Sequence, residues 1–381
     1  MKKIVTIIGA RPQIIKSAAI SRAVRDEFGD QLQEVIVHTG QHYDENMSSV
    51  FFDEMNIPEP HYNLGVGSAS HGKQTAMMIE RLEVILRDEE PNGLLVYGDT
   101  NSTLAGAITA SKMHIPIVHV EAGLRSFNKS MPEEVNRVVC DHLSTLLFSP
   151  TKAGYLHLKA EGFSPKTTPP YSPDTPKIYH CGDIMLDNTL FFKDVALQKN
   201  TVIEMNQLQS KNFFLSTIHR GANTDHATHL TAIFEAFLTI LENFPSHSIV
   251  LPLHPRTLKN MEERLEKDFL ENIRNHERMI IIPPVSYLNI LALESKCDLL
   301  ITDSGGLQKE AYFNEKPCVI LRPETEWTEI VEQGNAVIAN ADKAKIVDGV
   351  DKLMQKKLKF PPLYGDGSAA VFVCEQIVKY L

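Results

Sequence analysis

The sequence has no apolar run long enough to cross a bilayer, which excludes a helical membrane protein. Near its start only residues 4–8 are continuously apolar. They run into Gly9–Ala10–Arg11–Pro12, a strand-to-loop junction and not a signal peptide, so a cytoplasmic protein is expected. Cysteine is scarce and scattered. Cys140, Cys181, Cys297, Cys318 and Cys374 make an odd count without metal-type spacing, the pattern of reduced core thiols. An excess of cations is also missing. Lys and Arg total 38 against 48 Asp and Glu, for a net charge of −10. Without a broad basic field a nucleic-acid partner is excluded, and an anionic ligand must be held locally by helix N-termini and a few Arg or Lys residues. Internal repeats, a G-x-G-x-x-G fingerprint and a Walker A loop are all absent.

What is present is a globular balance, 43% hydrophobic and 23% charged, over 381 residues, a length suited to two domains. Short β-branched runs alternate with amphipathic segments. Strands are predicted at 3–8, 33–38, 93–97, 116–120 and 146–149, with helices at 12–28, 72–89, 103–112 and 131–143. Residues 164–176 carry five prolines and can continue neither a helix nor a central strand, so a loop or linker is expected there. The alternation then restarts, with strands at 212–217, 248–253, 279–282, 299–302 and 318–321. This is α/β architecture with two Rossmann-like domains and a ligand cleft between them at the strands' C-terminal ends. The expected division is an N-terminal domain 1–168 and a C-terminal domain 177–360.

Polar residues cluster at the predicted strand ends. Gly9 to Arg11, with Lys16 following, places cations at a turn into a helix, where an anion is favoured; surface charges on a first helix are an equal alternative. Tyr97–Gly98–Asp99–Thr100–Asn101–Ser102–Thr103 offers several helix caps, of which one suffices, leaving Asp99 as a candidate acid or base. His119–Val120–Glu121 and Met131–Pro132–Glu133–Glu134 add Glu121 at a strand end and Glu133 in the first turn of a helix. Asp99, Glu121 and Glu133 are expected to converge, with mutual repulsion raising the pKa of at least one. In the second half His219–Arg220, His254–Pro255–Arg256 and Arg322 follow strands. The turn Ser304–Gly305–Gly306 offers unhindered N–H groups to a diphosphate, and Glu310, about one helical turn on, could accept from ribose hydroxyls.

Together GDTNSTLA, HVEAGLRS with MPEEVNR, HPRT and DSGGLQKEA resemble the non-hydrolysing UDP-N-acetylglucosamine 2-epimerase family over nearly the whole chain, from Gly9 to Gly367. The resemblance implies a GT-B-like fold whose last helix, 361–381, crosses back to the first domain, a homodimer, a UDP-sugar substrate, and neither a metal nor a nicotinamide cofactor. It implies removal of the C2 proton with loss of UDP from C1, a bound 2-acetamidoglucal, then reprotonation on the other face and re-addition of UDP. Carried over by motif, Lys16, Asp99, Glu121, Glu133 and His219 fall on catalytic positions. Arg11, Arg137, His254, Ser304, Gly305, Gly306 and Glu310 fall on or beside positions that bind substrate or UDP. Departures concern the sugar. Gln13 stands where the UDP-GlcNAc enzymes usually have Glu, Ala222 lacks the usual Glu, and Thr325–Glu326–Trp327–Thr328–Glu329 replaces Thr-Glu-Arg-Pro-Glu. The segments ARPQIIK, HTGQHYD, LRSFNKSMPEE and TEW resemble the relatives acting on UDP-2,3-diacetamido-2,3-dideoxyglucuronic acid in O-antigen synthesis. In Gln41–His42–Tyr43–Asp44 only the first two residues match the stretch that contacts an activating second substrate in some members. A GT-B glycosyltransferase, a hydrolysing epimerase and a non-catalytic nucleotide-sugar sensor are the competing classes.

Overall fold

A computed structural model of the chain describes residues 1–41, 55–198 and 201–381. It divides into two compact units, Met1–Asn188 with Pro362–Leu381, and Thr189–Pro361.

The first unit is built on seven strands, β1 (Lys2–Ile8), β2 (Leu32–His38), β3 (Tyr62–Asn63), β4 (Gly93–Tyr97), β5 (Ile117–Val120), β6 (Leu146–Ser149) and β7 (Lys177–His180), in the order β3-β2-β1-β4-β5-β6-β7. The second holds β8 (Asn212–Thr217), β9 (His247–Pro252), β10 (Met279–Ile282), β11 (Leu299–Thr302), β12 (Cys318–Ile320) and β13 (Ala336–Ile338), in the order β10-β9-β8-β11-β12-β13. Every pairing is parallel. Helices cover both faces of such sheets, which is why β4 and β11 are buried along their whole length and read as unbroken apolar runs. The fold class is thus the expected one, two Rossmann-like domains. Strands β3, β7 and β13 escape the sequence pattern because they are edge strands of two to four residues, too short to show a period. The proline-rich 164–176 lies inside the first unit and leads into β7.

Each sheet reverses its winding at one place. In the first, β2 lies on one side of β1 and β4 on the other; in the second, β9 and β11 flank β8. Loops leaving the two strands at such a reversal diverge and open a crevice at their C-terminal ends. The loops concerned begin at Gly9 and Gly98 in the first unit, and at Ile218 and Asp303 in the second.

The helix Ala369–Tyr380 belongs to the first unit. Its N-terminus is capped from outside, by Asp187 Oδ2 accepting from the Ala370 N–H at 2.7 Å. Burial pushes the Asp187 carboxyl up to about 6 against these backbone hydrogen bonds. A raised folded-state value means that the unfolded chain ionises first, so stability falls as pH rises from the usual carboxylate range to about 6 and stays reduced above it. Asp187→Asn removes that cost and is expected to gain roughly 2–3 kcal/mol over the wild type at about pH 7.5 but little at about pH 4. Urea unfolding of both proteins at the two pH values checks this; a stability difference independent of pH would contradict it. Among the described residues no helix is long and apolar enough to cross a membrane.

Candidate active site

In the first unit, β1 ends at Ile8 and the helix Arg11–Glu27 begins with Pro12 in its first turn, where the missing N–H costs nothing. Gln13 fixes this turn to the next strand. Its Oε1 accepts from the Ala10 N–H at 3.2 Å, and its Nε2 donates to the Tyr97 carbonyl at 3.0 Å and to Thr103 Oγ1 at 2.9 Å. An ionised Glu there could make neither donation. Arg11, two residues earlier, is exposed.

Strand β4 ends at Tyr97, and the helix Asn101–Lys112 is capped by Thr100, whose side chain accepts from the Thr103 N–H at 3.3 Å. Asp99 is therefore not spent on capping. Gly98 turns the chain with φ +60°, and a β-carbon there would lie 3.4 Å from both Glu121 Oε2 and Lys16 Nζ. Only glycine takes this turn without strain while leaving that space open. Register explains the meeting of these groups. Tyr97 pairs with Val120, so the residues that follow each of them emerge side by side, and the Gly98 N–H donates to the Val120 carbonyl at 3.0 Å. Glu121 itself has φ +73°. A non-glycine residue in that region costs about 1–3 kcal/mol and persists only where its surroundings demand it.

Two of the three carboxylates expected to repel one another, Asp99 and Glu121, are each paired with a cation. Glu121 Oε2 pairs with Lys16 Nζ, the two side chains being 11% and 12% exposed. Asp99 Oδ2 pairs with Arg137 Nη2 at 2.5 Å. Asn136 Nδ2 adds a hydrogen bond to the Asp99 carbonyl at 2.8 Å. Arg137 is thus placed beside Asp99, in the first unit, and its Nη1 also reaches Glu134 at 3.1 Å. Glu133 and Glu134 part company at the start of the helix Pro132–Leu143. Glu133 is exposed and makes no hydrogen bond or ion pair among the described residues. Glu134 turns inward, accepting from the N–H groups of Ser126 and Phe127 at 2.8 and 3.0 Å. Burial raises its pKa, but the Ser126, Phe127 and Arg137 donors outweigh that and hold it below the usual range.

In the second unit, His219 and Asp303 follow the two strands that flank the reversal. Their Nδ1 and Oδ1 lie 2.9 Å apart, with the imidazole half exposed and the carboxylate buried. Asp303 also accepts from the backbone N–H groups of His219 and Arg220 at 3.1 and 3.0 Å and from Asn223 Nδ2 at 3.0 Å. These donors hold its carboxyl low although burial pushes it up. Asp303 and Asn223 orient His219, and sequence reading missed both as site residues. The one signal for Asp303 was its place directly before Ser304.

Ser304 opens the helix Gly305–Phe313 without capping it through its side chain. A β-carbon on Gly306 would meet nothing closer than Ser304 Oγ at 4.0 Å, and Gly306 has no positive φ. Neither packing nor conformation within the chain requires glycine there, whereas close approach of a ligand to the helix N-terminus would. Gly305 is held from behind by Trp327 Nε1, which donates to its carbonyl at 2.9 Å, and Lys309 Nζ lies 4.0 Å from the centre of the Trp327 ring. Arg322 forks onto Glu326 at 2.8 and 2.9 Å. Glu310 is buried against the fully buried Glu294, whose carboxyl is pushed well up by desolvation and by the facing Glu310 carboxylate, so Glu294 keeps the proton of the pair. His254 caps the helix Pro255–Arg264, its Nδ1 accepting from the Arg256 N–H at 3.2 Å. Gln41 Oε1 accepts from Ser102 Oγ at 2.7 Å; His42, Tyr43 and Asp44 lie outside the described residues.

The family described as UDP-N-acetylglucosamine 2-epimerase matches residues 26–378. A Methanococcus maripaludis protein named a UDP-N-acetylglucosamine 2-epimerase homolog is 44% identical over 98% of each chain. A Pseudomonas aeruginosa UDP-2,3-diacetamido-2,3-dideoxy-D-glucuronate 2-epimerase is 43% identical over 99% of each. Among solved structures, the Methanocaldococcus jannaschii UDP-GlcNAc 2-epimerase in complex with UDP-GlcNAc and UDP superposes with a TM-score of 0.85, at 38% identity over 99% of each chain.

Proposed function

The chain belongs to the UDP-N-acetylglucosamine 2-epimerase family and is a nucleotide-sugar 2-epimerase, an isomerase; from that premise we propose that it interconverts UDP-GlcNAc and UDP-ManNAc by elimination and re-addition of UDP. The observation that carries this reading is the pair of carboxylates at the ends of neighbouring strands, Asp99 with Arg137 and Glu121 with Lys16. Inversion at C2 asks for one proton removed and one delivered, and two ionisable groups side by side supply both transfers.

The C2–H bond is not acidic. Its electron pair can form the C1–C2 double bond only as the C1–O bond breaks and UDP leaves with the electrons of that bond. The second unit's Ser304–Gly305–Gly306 turn would hold the departing diphosphate, His219, oriented by Asp303, would stand as a proton donor, and Glu310 would accept from the ribose hydroxyls. His254 would add a further polar group for UDP. Glu133 and Arg11, in the exposed first turns of their helices, would meet the bound sugar and its diphosphate. On the return path UDP oxygen re-adds to C1 while C2 takes a proton on the opposite face. Each of these steps moves only a proton and the UDP group, so no hydride carrier takes part in them. With this reading go a cytoplasmic homodimer and a role in supplying sugar for surface polysaccharide.

Incubation with UDP-GlcNAc alone in D₂O tests the proposal. Deuterium at C2 and appearance of UDP-ManNAc are expected. No exchange would point to a glycosyltransferase or a sensor, and release of free N-acetylmannosamine with UDP to a hydrolysing enzyme. A second reading, UDP-2,3-diacetamido-2,3-dideoxyglucuronic acid as substrate, is favoured by the 43% identity to the Pseudomonas enzyme and by Gln13, whose amide uses both its donor and its acceptor. Side-by-side kcat/KM on the two sugars separates them.

A further inference from the structure

The turns that carry Asp99 and Glu121 are bridged by one buried ring. His119 lies in β5 with no exposure, two residues before Glu121. Its Nε2 is 2.8 Å from the carbonyl oxygen of Gly98, the residue before Asp99. Its Nδ1 is 2.8 Å from Asp141 Oδ1. The other oxygen of Asp141 accepts the Gly123 N–H at 3.1 Å, two residues after Glu121, and faces Arg125 Nη1 at 2.7 Å. Arg125 is itself fixed by a fork onto Glu161, both bonds 2.7 Å. A continuous buried chain of hydrogen bonds therefore runs from the Gly98 turn through His119 and Asp141 to the Gly123 turn.

We infer that His119 and Asp141 are positioning residues, whose bridge between the Gly98 carbonyl and the Gly123 N–H fixes the spacing and aim of Asp99 and Glu121. This rests on the reading that those two carboxylates act on the sugar. Any buried histidine needs partners for its ring nitrogens; what distinguishes this one is that both contacts lead to the turns flanking the candidate acid and base. Gly98 and Glu121 both adopt left-handed backbone, with φ +60° and +73°. Glycine takes such a turn freely, but at Glu121 it holds only where the surrounding structure over-determines it, and the bridge supplies that constraint.

Hydrogen-bond chemistry defines the ring's state. A carbonyl oxygen only accepts, so Nε2 carries a hydrogen. Burial pushes the Asp141 carboxyl up, yet His119 and Arg125 together hold it below the usual range.

Two measurements test the inference. In wild-type protein labelled with ¹⁵N-histidine, the His119 ring is expected to carry a proton on Nε2, bonded to the Gly98 carbonyl and slow to exchange with solvent; an Nε2 without a proton would overturn the bridge. In His119→Gln and Asp141→Asn, kcat is expected to fall ~10²-fold, the scale for a displaced catalytic group, with KM and calorimetric UDP affinity unchanged. Wild-type kcat in either variant would overturn the positioning role. Should a variant lose UDP binding through misfolding, the ring measurement on the wild type still decides. A wild type that exchanges no deuterium into UDP-GlcNAc would sink the functional reading and leave the ring result standing, so the two failures are distinguishable.

Discussion

Glu121→Gln is expected to lower turnover ~10²-fold or more while the protein stays folded, the loss typical of a general acid or base. The substitution preserves shape and keeps a hydrogen-bond acceptor, so the β5 turn and its backbone bonds to the Phe148 carbonyl can persist. What disappears is the ionisable oxygen beside Lys16 Nζ. Lys16 is then left opposite an amide with little water around it, which should cost some thermal stability but not the fold. Asp99→Asn is expected to act alike, since Arg137 and Asn136 keep the turn in place. UDP affinity should be unaffected in both, because the proposed diphosphate grip belongs to the second unit. Steady-state turnover, C2 deuterium exchange and a melting curve on each variant check this. Wild-type turnover in either variant would remove that residue from the acid–base set.

Gly306→Ala is expected to weaken UDP binding roughly 10- to 100-fold without destabilising the chain, the loss expected when one charge-assisted hydrogen bond is blocked. The added methyl has room in the unliganded protein, with its nearest neighbour at 4.0 Å. Alanine is also the better helix former, so stability should hold or rise by up to about 1 kcal/mol. The same methyl stands in the path of a phosphate approaching the helix N-terminus. Stability and affinity should therefore move in opposite directions. Calorimetric titration with UDP beside urea unfolding reads both, and unchanged affinity would locate the diphosphate elsewhere. Glu310→Ala is expected to weaken UDP as well, through the ribose, and also to leave Glu294 without its carboxylate partner.

The strand–helix alternation and the polar residues at strand ends could be read directly from the chain. Both are local properties. A strand buried on two faces is predominantly apolar, as in β4 and β11, and a polar residue after such a run stands where the strand leaves the core. Asp99, Glu121, His219 and Ser304 were legible for that reason. Sequence alone could not order the strands. That β1 neighbours β4, and β8 neighbours β11, follows from the packing of whole sheets, and it makes these loops the ones that diverge. Nor could it choose between Glu133 and Glu134. Successive helical residues point about 100° apart, and only the position of Ser126, Phe127 and Arg137 decides which glutamate is drawn inward. Nor could it foresee that Asp99 and Glu121 would each be paired with a cation. Lys16 lies 105 residues from Glu121, and Arg137 lies 38 residues from Asp99. Composition and spacing specify which charges exist; their partners are set when strands far apart in the chain pair in register and bring separate turns together.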